Sequence, residues 1–163
     1  MKNQYRFQVW HEPNFRAVNR FYRSQKHKGS ASGDEHVFVI YQLADTSEST
    51  PDEHPAEDTL VAAVRLVPND GFFWLRGLYV EKSLRGQNLG SELLTFVHSH
   101  YEQQPPTPAL PIYCFPYTHL NDFYRKSGYQ DIEAEQLPEK LEQLYTRYSG
   151  KGESIINMVK TFQ

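Results

Sequence analysis

Residues 74–101 read WLRGLYVEKSLRGQNLGSELLTFVHSHY. This is an apolar strand, a tight glycine-containing turn and then an amphipathic helix. Trp74, Leu75, Leu78, Tyr79 and Val80 are large apolar or β-forming residues with little polar relief, the pattern of a strand covered on both faces. Leu89, Leu93, Val97 and Tyr101 recur every fourth residue, with Leu94 beside them, and give one apolar stripe on a helix. Between the two lies Arg85-Gly86-Gln87-Asn88-Leu89-Gly90. A helix N-terminus leaves backbone N–H groups unpaired and carries partial positive charge. Glycines just before it let backbone approach a bulky anion with no Cβ in the way. The turn is therefore built as a phosphate cradle.

Neither common cradle fits. Gly86 and Gly90 are four apart, which excludes G-x-G-x-x-G, and no Gly-Lys-Ser/Thr follows. Leu78-Tyr79-Val80, a four-residue spacer, then R-G-Q-x-L-G resembles the acyl-CoA-binding motif of the GCN5-related N-acetyltransferases. Arg85, Asn88 and Gly90 occupy the three defined places of the family's Arg/Gln-x-x-Gly-x-Gly/Ala. Asn88 departs from the usual glycine, but asparagine tolerates positive φ better than most residues bearing a side chain. A second match lies further on. Asp122-Phe123-Tyr124-Arg125-Lys126-Ser127-Gly128-Tyr129 resembles the family's F-Y-x-x-x-G-F/Y at Phe123, Tyr124, Gly128 and Tyr129. Many members carry an Asn seven residues before that tyrosine. Here the place is Tyr117; His119 and Asn121 are near but out of register.

Composition agrees with a globular chain. At 163 residues it is long enough to bury a core without staples, and the resemblance covers almost all of it, so one acyltransferase domain over residues 1–163 is expected. Aromatic content of 14% argues against disorder. No apolar run approaches the roughly 20 residues that span a bilayer, and MKNQYRFQVWHEP has no signal-peptide core, so no membrane association and a cytoplasmic location are expected. A lone cysteine, Cys114, excludes an internal disulfide and a cysteine zinc cluster. Residues 45–58 carry six acids and no Lys or Arg, against a net charge of −3 for the whole chain, so the remainder sums to +3. That is mild enough to suit an anionic cofactor and too weak to argue for nucleic acid.

Taken in order, residues 5–10 (YRFQVW) alternate as a first strand. Pro13 suits the first turn of a helix, with Phe15, Val18, Phe21 and Tyr22 as its apolar face. Arg16, Arg20 and Arg23 form a second stripe, read either as a solvated face or as a face overlooking an anionic acceptor. KHKGSASGD, residues 26–34, reads as a flexible loop. Residues 36–43 and 59–67 are strands around a solvated acidic loop, and Asn69-Asp70-Gly71 turns the chain into a third strand at residues 72–80. A strand at 110–115, a short helix at 118–127 capped by Gly128, a strand at 129–132, a helix at 137–148 and a last strand at 154–162 complete the chain. The expected fold is α/β (α+β): a mixed, mostly antiparallel sheet flanked by helices, with parallel pairing between residues 74–80 and 110–115.

The resemblance implies acyl transfer from acetyl-CoA, as co-substrate, to an amine of a small molecule or peptide. It implies splayed central strands, with the pantetheine held by backbone of Leu78, Tyr79 and Val80. The pyrophosphate would be held by the amides of Arg85, Gly86, Gln87, Asn88, Leu89 and Gly90, with Ser91 adjacent. A strand N–H, of Leu78 or Val80, would serve as oxyanion donor, and Tyr124 would protonate the departing thiolate. A non-catalytic acyl-CoA-binding module on the same fold is the alternative. Glu35, His36, Glu81 and His119 are the titratable groups that could reach a site. No metal is implied: His98 and His100, two apart on a helix, point to different faces. Cys114 reads as a buried thiol rather than an acyl carrier. A monomer or a homodimer pairing through the last strand is expected.

Overall fold

The computed structural model describes residues 4–45 and 56–163. Most of the acidic loop, residues 46–55, lies outside them. A seven-stranded sheet runs in the order β1-β2-β3-β4-β5-β7-β6. Its strands are β1 Tyr5–Val9, β2 His36–Gln42, β3 Thr59–Asn69, β4 Phe72–Val80, β5 Ile112–Cys114, β6 Gln130–Asp131 and β7 Met158–Lys160. The helices are α1 Arg16–Ser24, α2 Leu89–Glu102, α3 Asn121–Lys126 and α4 Glu139–Gly150. Among the described residues no helix is long and apolar enough to cross a membrane. The chain divides into two compact units, one of Met1–Leu66 with Gly77–Val97, the other of Val67–Arg76 with His98–Gln163. Both β4 and α2 contribute to each.

In the first unit β2 pairs antiparallel with β1 and with β3, in the registers Phe7↔Ile40 and Val39↔Ala63. Side chains of a strand alternate between faces. Val37, Val39 and Ala63 accordingly join Val18, Phe21 and Tyr22 of α1 in one buried cluster. Phe38 turns to the other face, where Phe96 of α2 packs against it and against Phe7, at ring separations of 6.0 and 5.8 Å. Helix α1 begins at Arg16 rather than at Pro13, because the Asn14 carboxamide oxygen accepts the Arg16 N–H at 3.0 Å and holds the preceding residues in a turn.

The loop at residues 26–34 is bound down, not loose. The Asn19 side chain accepts from the Ala31 amide and donates to its carbonyl, at 2.7 and 3.1 Å. Arg65 donates to the Ser30 carbonyl at 2.7 Å, and Glu35 accepts the Ser32 N–H at 2.6 Å. The small-residue composition hid these anchors, since all three come from side chains outside the loop's glycine and serine run.

In the second unit β4 and β5 run parallel through Phe73↔Ile112, Trp74↔Tyr113 and Leu75↔Cys114. β7 lies antiparallel to β5 and to β6. Strand β5 is only three residues long, since Pro111 and Pro116 bracket it and cannot donate to a ladder. The last strand is likewise shorter than its sequence suggests; before it, Ile155 makes only an isolated bridge to Tyr117. Helix α4 starts at Glu139 with Pro138 as its N-cap and packs Leu141, with Leu137 just ahead of it, onto Phe72 and Trp74. Ser127 rather than Gly128 is the C-cap of α3, and Gly128, at φ +95°, follows it as the left-handed residue that ends the helix.

Candidate active site

The turn expected to cradle an anion lies in the first unit, at the head of α2. It starts from the Glu81 carboxylate, which accepts the Ser83 amide at 2.7 Å and the Ser83 hydroxyl, capping a 3-10 turn at Lys82–Leu84. These bonds, the hydroxyl's foremost, hold the Glu81 carboxyl below the usual range. Arg85 is tied back to the strand, its Nε donating to the Val80 carbonyl at 2.9 Å. Gly86 and Asn88 then take left-handed backbone, φ +85° and +69°. The Asn88 carbonyl accepts the Glu92 N–H at 3.1 Å, the first helical bond of α2. Helical geometry leaves the amides of Leu89, Gly90 and Ser91 without intrahelical acceptors. Leu89 is buried and anchors the turn, while Arg85, Gly86, Gln87 and Asn88 are exposed. A Cβ placed on Gly86 would meet nothing within 4 Å, so the space above the turn is open. The turn thus has an exposed backbone rim and an inward-looking leucine, with asparagine adopting the left-handed conformation that glycine usually supplies.

The expectation of a strand covered on both faces holds only for part of β4. Phe72, Trp74 and Leu75 are buried, but Gly77, Leu78, Tyr79 and Val80 are half-buried. The change begins at Arg76, next to Gly77 at φ +69°, a conformation that kinks the strand and that few other residues adopt. Tyr22, wholly buried on α1, donates its hydroxyl to the Gly77 carbonyl at 2.8 Å. Arg65 sits beside it on β3, two residues from Ala63 and so on the α1 face. Its guanidinium lies 5.5 Å from the Tyr22 ring and 3.1 Å from Glu35. A Cβ on Gly77 would lie 3.0 Å from both the Tyr22 hydroxyl and the Arg65 Nε. The Tyr79 ring packs on His27 at 4.6 Å and meets Tyr22 edge-on at 6.1 Å. Beyond the kink, the Glu81 N–H bonds to the Val61 carbonyl at 2.7 Å and keeps the strand end on β3.

Tyr124 belongs to the second unit. It lies on α3, 6% exposed, with Tyr129 and Phe123 edge-on to it at 5.6 and 5.0 Å. Burial, with the nearby Cys114 as a lesser cause, pushes its phenol well above the usual range, so the proton stays on the oxygen. Cys114 is itself buried, and burial pushes its thiol up. A thiol kept protonated is a poor nucleophile, which disfavours the acyl-carrier role. Tyr117, at the place of the family asparagine, is half-exposed and stacked on His119, with ring centroids 6.0 Å apart. Asn121 is occupied by Asp131 at 2.7 Å.

The remaining candidates separate by environment. Glu35 is committed to Arg65, Glu81 to Ser83, and His36 and His119 are exposed. Arg16, Arg20 and Arg23 line a surface hollow of about 550 Å³ with Asn14 and Asn19. At 100° per residue that stripe lies opposite Val18, Phe21 and Tyr22. It faces away from the Tyr22 hydroxyl that reaches β4, which favours the solvated face over the acceptor-facing one. The sequence reading passed over Tyr22, Arg65 and Gly77. Two signals mark Gly77 and Arg65, a lone glycine inside a strand pattern and a lone charge in the apolar run TLVAAVRLV, while nothing local marks Tyr22.

Comparison with known proteins bears on the family and the fold. The family model of the acetyltransferase (GNAT) domain matches residues 53–144, more than half of the chain, including the cradle and α3. No curated protein sequence matches significantly. Among solved structures, an N-acetylglutamate synthase from Neisseria gonorrhoeae, complexed with coenzyme A and N-acetyl-glutamate, superposes with TM-score 0.67 at 12% identity. The match covers 100% of this chain and 36% of the synthase, so the chain spans about a third of that protein's length. An acyl-CoA N-acyltransferase from Pseudomonas aeruginosa gives 0.64 at 15% identity, covering 96% and 99% of the two chains. Arabidopsis thaliana Naa50, in complex with the bisubstrate analogue CoA-Ac-MVNAL, gives 0.62 at 16% identity, covering 98% and 100%. At these identities the likeness is one of fold.

Proposed function

The chain belongs to the GNAT acetyltransferase family, and from that premise we propose that it transfers an acetyl group from acetyl-CoA to the amine of a small molecule or peptide. The observation that carries the proposal is the turn before α2. Its two left-handed residues, Gly86 and Asn88, open an exposed backbone rim onto the helix N-terminus within the matched region.

Acetyl-CoA supplies the thioester whose carbonyl the amine attacks. In this proposal the amides of Gly86 to Ser91 hold the pyrophosphate, where the α2 dipole favours negative charge. Leu78, Tyr79 and Val80 offer backbone groups to the pantetheine along the half-buried end of β4. A strand N–H, that of Leu78 or Val80, would donate to the acetyl oxygen and stabilise the charge that develops there. Tyr124, kept protonated by burial, gives its proton to the departing thiolate. A thiolate of pKa ~8.5 in water becomes more basic in a dry site, while burial also weakens the Tyr124 phenol as an acid, so the transfer requires the two to be held within hydrogen-bond reach. No side chain need serve as base, since an ordered water can pass the amine proton to solvent. The superposition on structures holding coenzyme A and a CoA–peptide bisubstrate analogue supports the cofactor class and leaves both acceptor classes in play.

The test is thiol release from acetyl-CoA over a panel of amines and peptides with free N-termini, for the native protein and Tyr124→Phe. Turnover that falls about 10²-fold in the variant, with acetyl-CoA binding unchanged, is the expected result. Binding without turnover for any acceptor would identify a non-catalytic acyl-CoA module instead.

A further inference from the structure

The groups behind β4 are more ordered than a strand needs. A glycine at φ +69° inside a strand leaves its peptide plane free to swing, because no Cβ restricts it. Here that plane is pinned from behind. The Tyr22 hydroxyl donates to the Gly77 carbonyl at 2.8 Å, and Tyr22 is 0% exposed, so water does not compete for the bond. Arg65 backs the tyrosine: its guanidinium stands over the ring and is fixed by the Ser30 carbonyl and the Glu35 carboxylate. Its charge acts against the effect of burial on the phenol and makes the hydroxyl a better donor.

The Gly77 carbonyl and the Leu78 N–H belong to one peptide unit. In a trans peptide they point in opposite directions. A carbonyl drawn toward α1 therefore turns the Leu78 N–H to the side away from α1. Hydrogen bonding to the carbonyl also polarises the unit and strengthens the N–H as a donor, by about 10–30% per bond. We propose that Tyr22 is a positioning residue for acyl transfer: its hydroxyl, backed by Arg65, fixes the Gly77–Leu78 peptide and so aims the Leu78 N–H at the acetyl oxygen. This rests on the acetyl-CoA activity proposed above and adds the residue that sets the donor's direction.

The experiment is isotope-edited infrared spectroscopy of [1-¹³C]acetyl-CoA bound to the native protein, to Tyr22→Phe and to Tyr22→3-fluorotyrosine. In the native complex the thioester carbonyl stretch falls below that of free acetyl-CoA. In Tyr22→Phe, with the dissociation constant within about threefold of native, the stretch returns most of the way to the free value and kcat drops about tenfold. That drop is smaller than the 10²–10³ lost with a whole oxyanion donor, because the amide remains. Tyr22→3-fluorotyrosine keeps the shape and strengthens the donor, so the stretch falls further; this arm decides the matter should Tyr22→Phe fail to fold. An unchanged stretch in the variants that bind overturns the role, whatever happens to their stability. A native protein that binds no acetyl-CoA overturns the proposed activity and this role with it, a result distinct from binding with an unmoved stretch.

Discussion

His98 offers a stability test set chiefly by burial. It lies on α2, 7% exposed, with Nε2 3.0 Å from the Tyr129 hydroxyl and the Tyr129 ring at 5.4 Å. Burial holds the Tyr129 phenol protonated, so Tyr129 donates and a neutral His98 accepts. Burial first, and the Lys160 charge second, lower the imidazole pKa from 6.5 to about 3. Between those values the unfolded chain binds a proton that the folded chain refuses. Stability is then fully present above pH 6.5 and lost as pH falls toward 3. At pH 5.0 the loss covers about 1.5 pH units, or about 2 kcal/mol. Denaturant unfolding of the native protein and of His98→Gln, at pH 7.5 and 5.0, isolates this term because the other titrating groups cancel. Glutamine keeps an acceptor for Tyr129 and has no proton to bind. The stability difference between the two proteins should shift by about 2 kcal/mol in favour of the variant on acidification. A difference constant within about 0.5 kcal/mol would refute the assignment of a buried neutral imidazole.

Three further outcomes follow from the same contacts. Glu35→Gln leaves the Arg65 guanidinium, with a side chain 3% exposed, lacking its charge partner, and should cost about 3 kcal/mol in urea unfolding; a cost below about 1 kcal/mol would show the pair is not buried in effect. Asn88→Gly should leave coenzyme A affinity and stability near native, whereas Asn88→Val, forced to φ +69°, should lose about 1–2 kcal/mol of stability and weaken coenzyme A binding in calorimetry. Cys114→Ala should keep turnover within about threefold while losing about 1 kcal/mol of stability to the small cavity; loss of turnover at intact stability would restore the thiol to the chemistry.

The sequence made the fold legible where periodicity and breakers agreed. The parallel pairing of β4 with β5 followed from strand, helix and strand in order, and Gly128 marked the end of α3. The left-handed turn before α2 was legible because Gly86 and Asn88 are residue types that tolerate positive φ. Strand length was less legible: Pro111 and Pro116 already marked the limits of β5, but the extent of pairing at residues 154–162 depends on partner length, which is not a local property. The network behind β4 was hidden for a related reason. Tyr22 read as one more apolar residue of a helical stripe, and its hydroxyl acquires meaning only against Gly77, 55 residues away. Arg65 and Glu35 likewise find each other across 30 residues. His98, four residues after Leu94, shares the apolar side of α2 and His100 does not, but the Tyr129 hydroxyl that makes the first a buried acceptor comes from 31 residues away.

The most direct test of the central claim is a calorimetric titration of the purified chain with acetyl-CoA, with the thermal midpoint recorded alongside. Saturable heat and a raised midpoint, equivalent to about 2.7 kcal/mol at 100 times the dissociation constant, are the result that the cradle at Gly86 and Asn88 requires. Absence of both heat and midpoint shift at millimolar acetyl-CoA would contradict it.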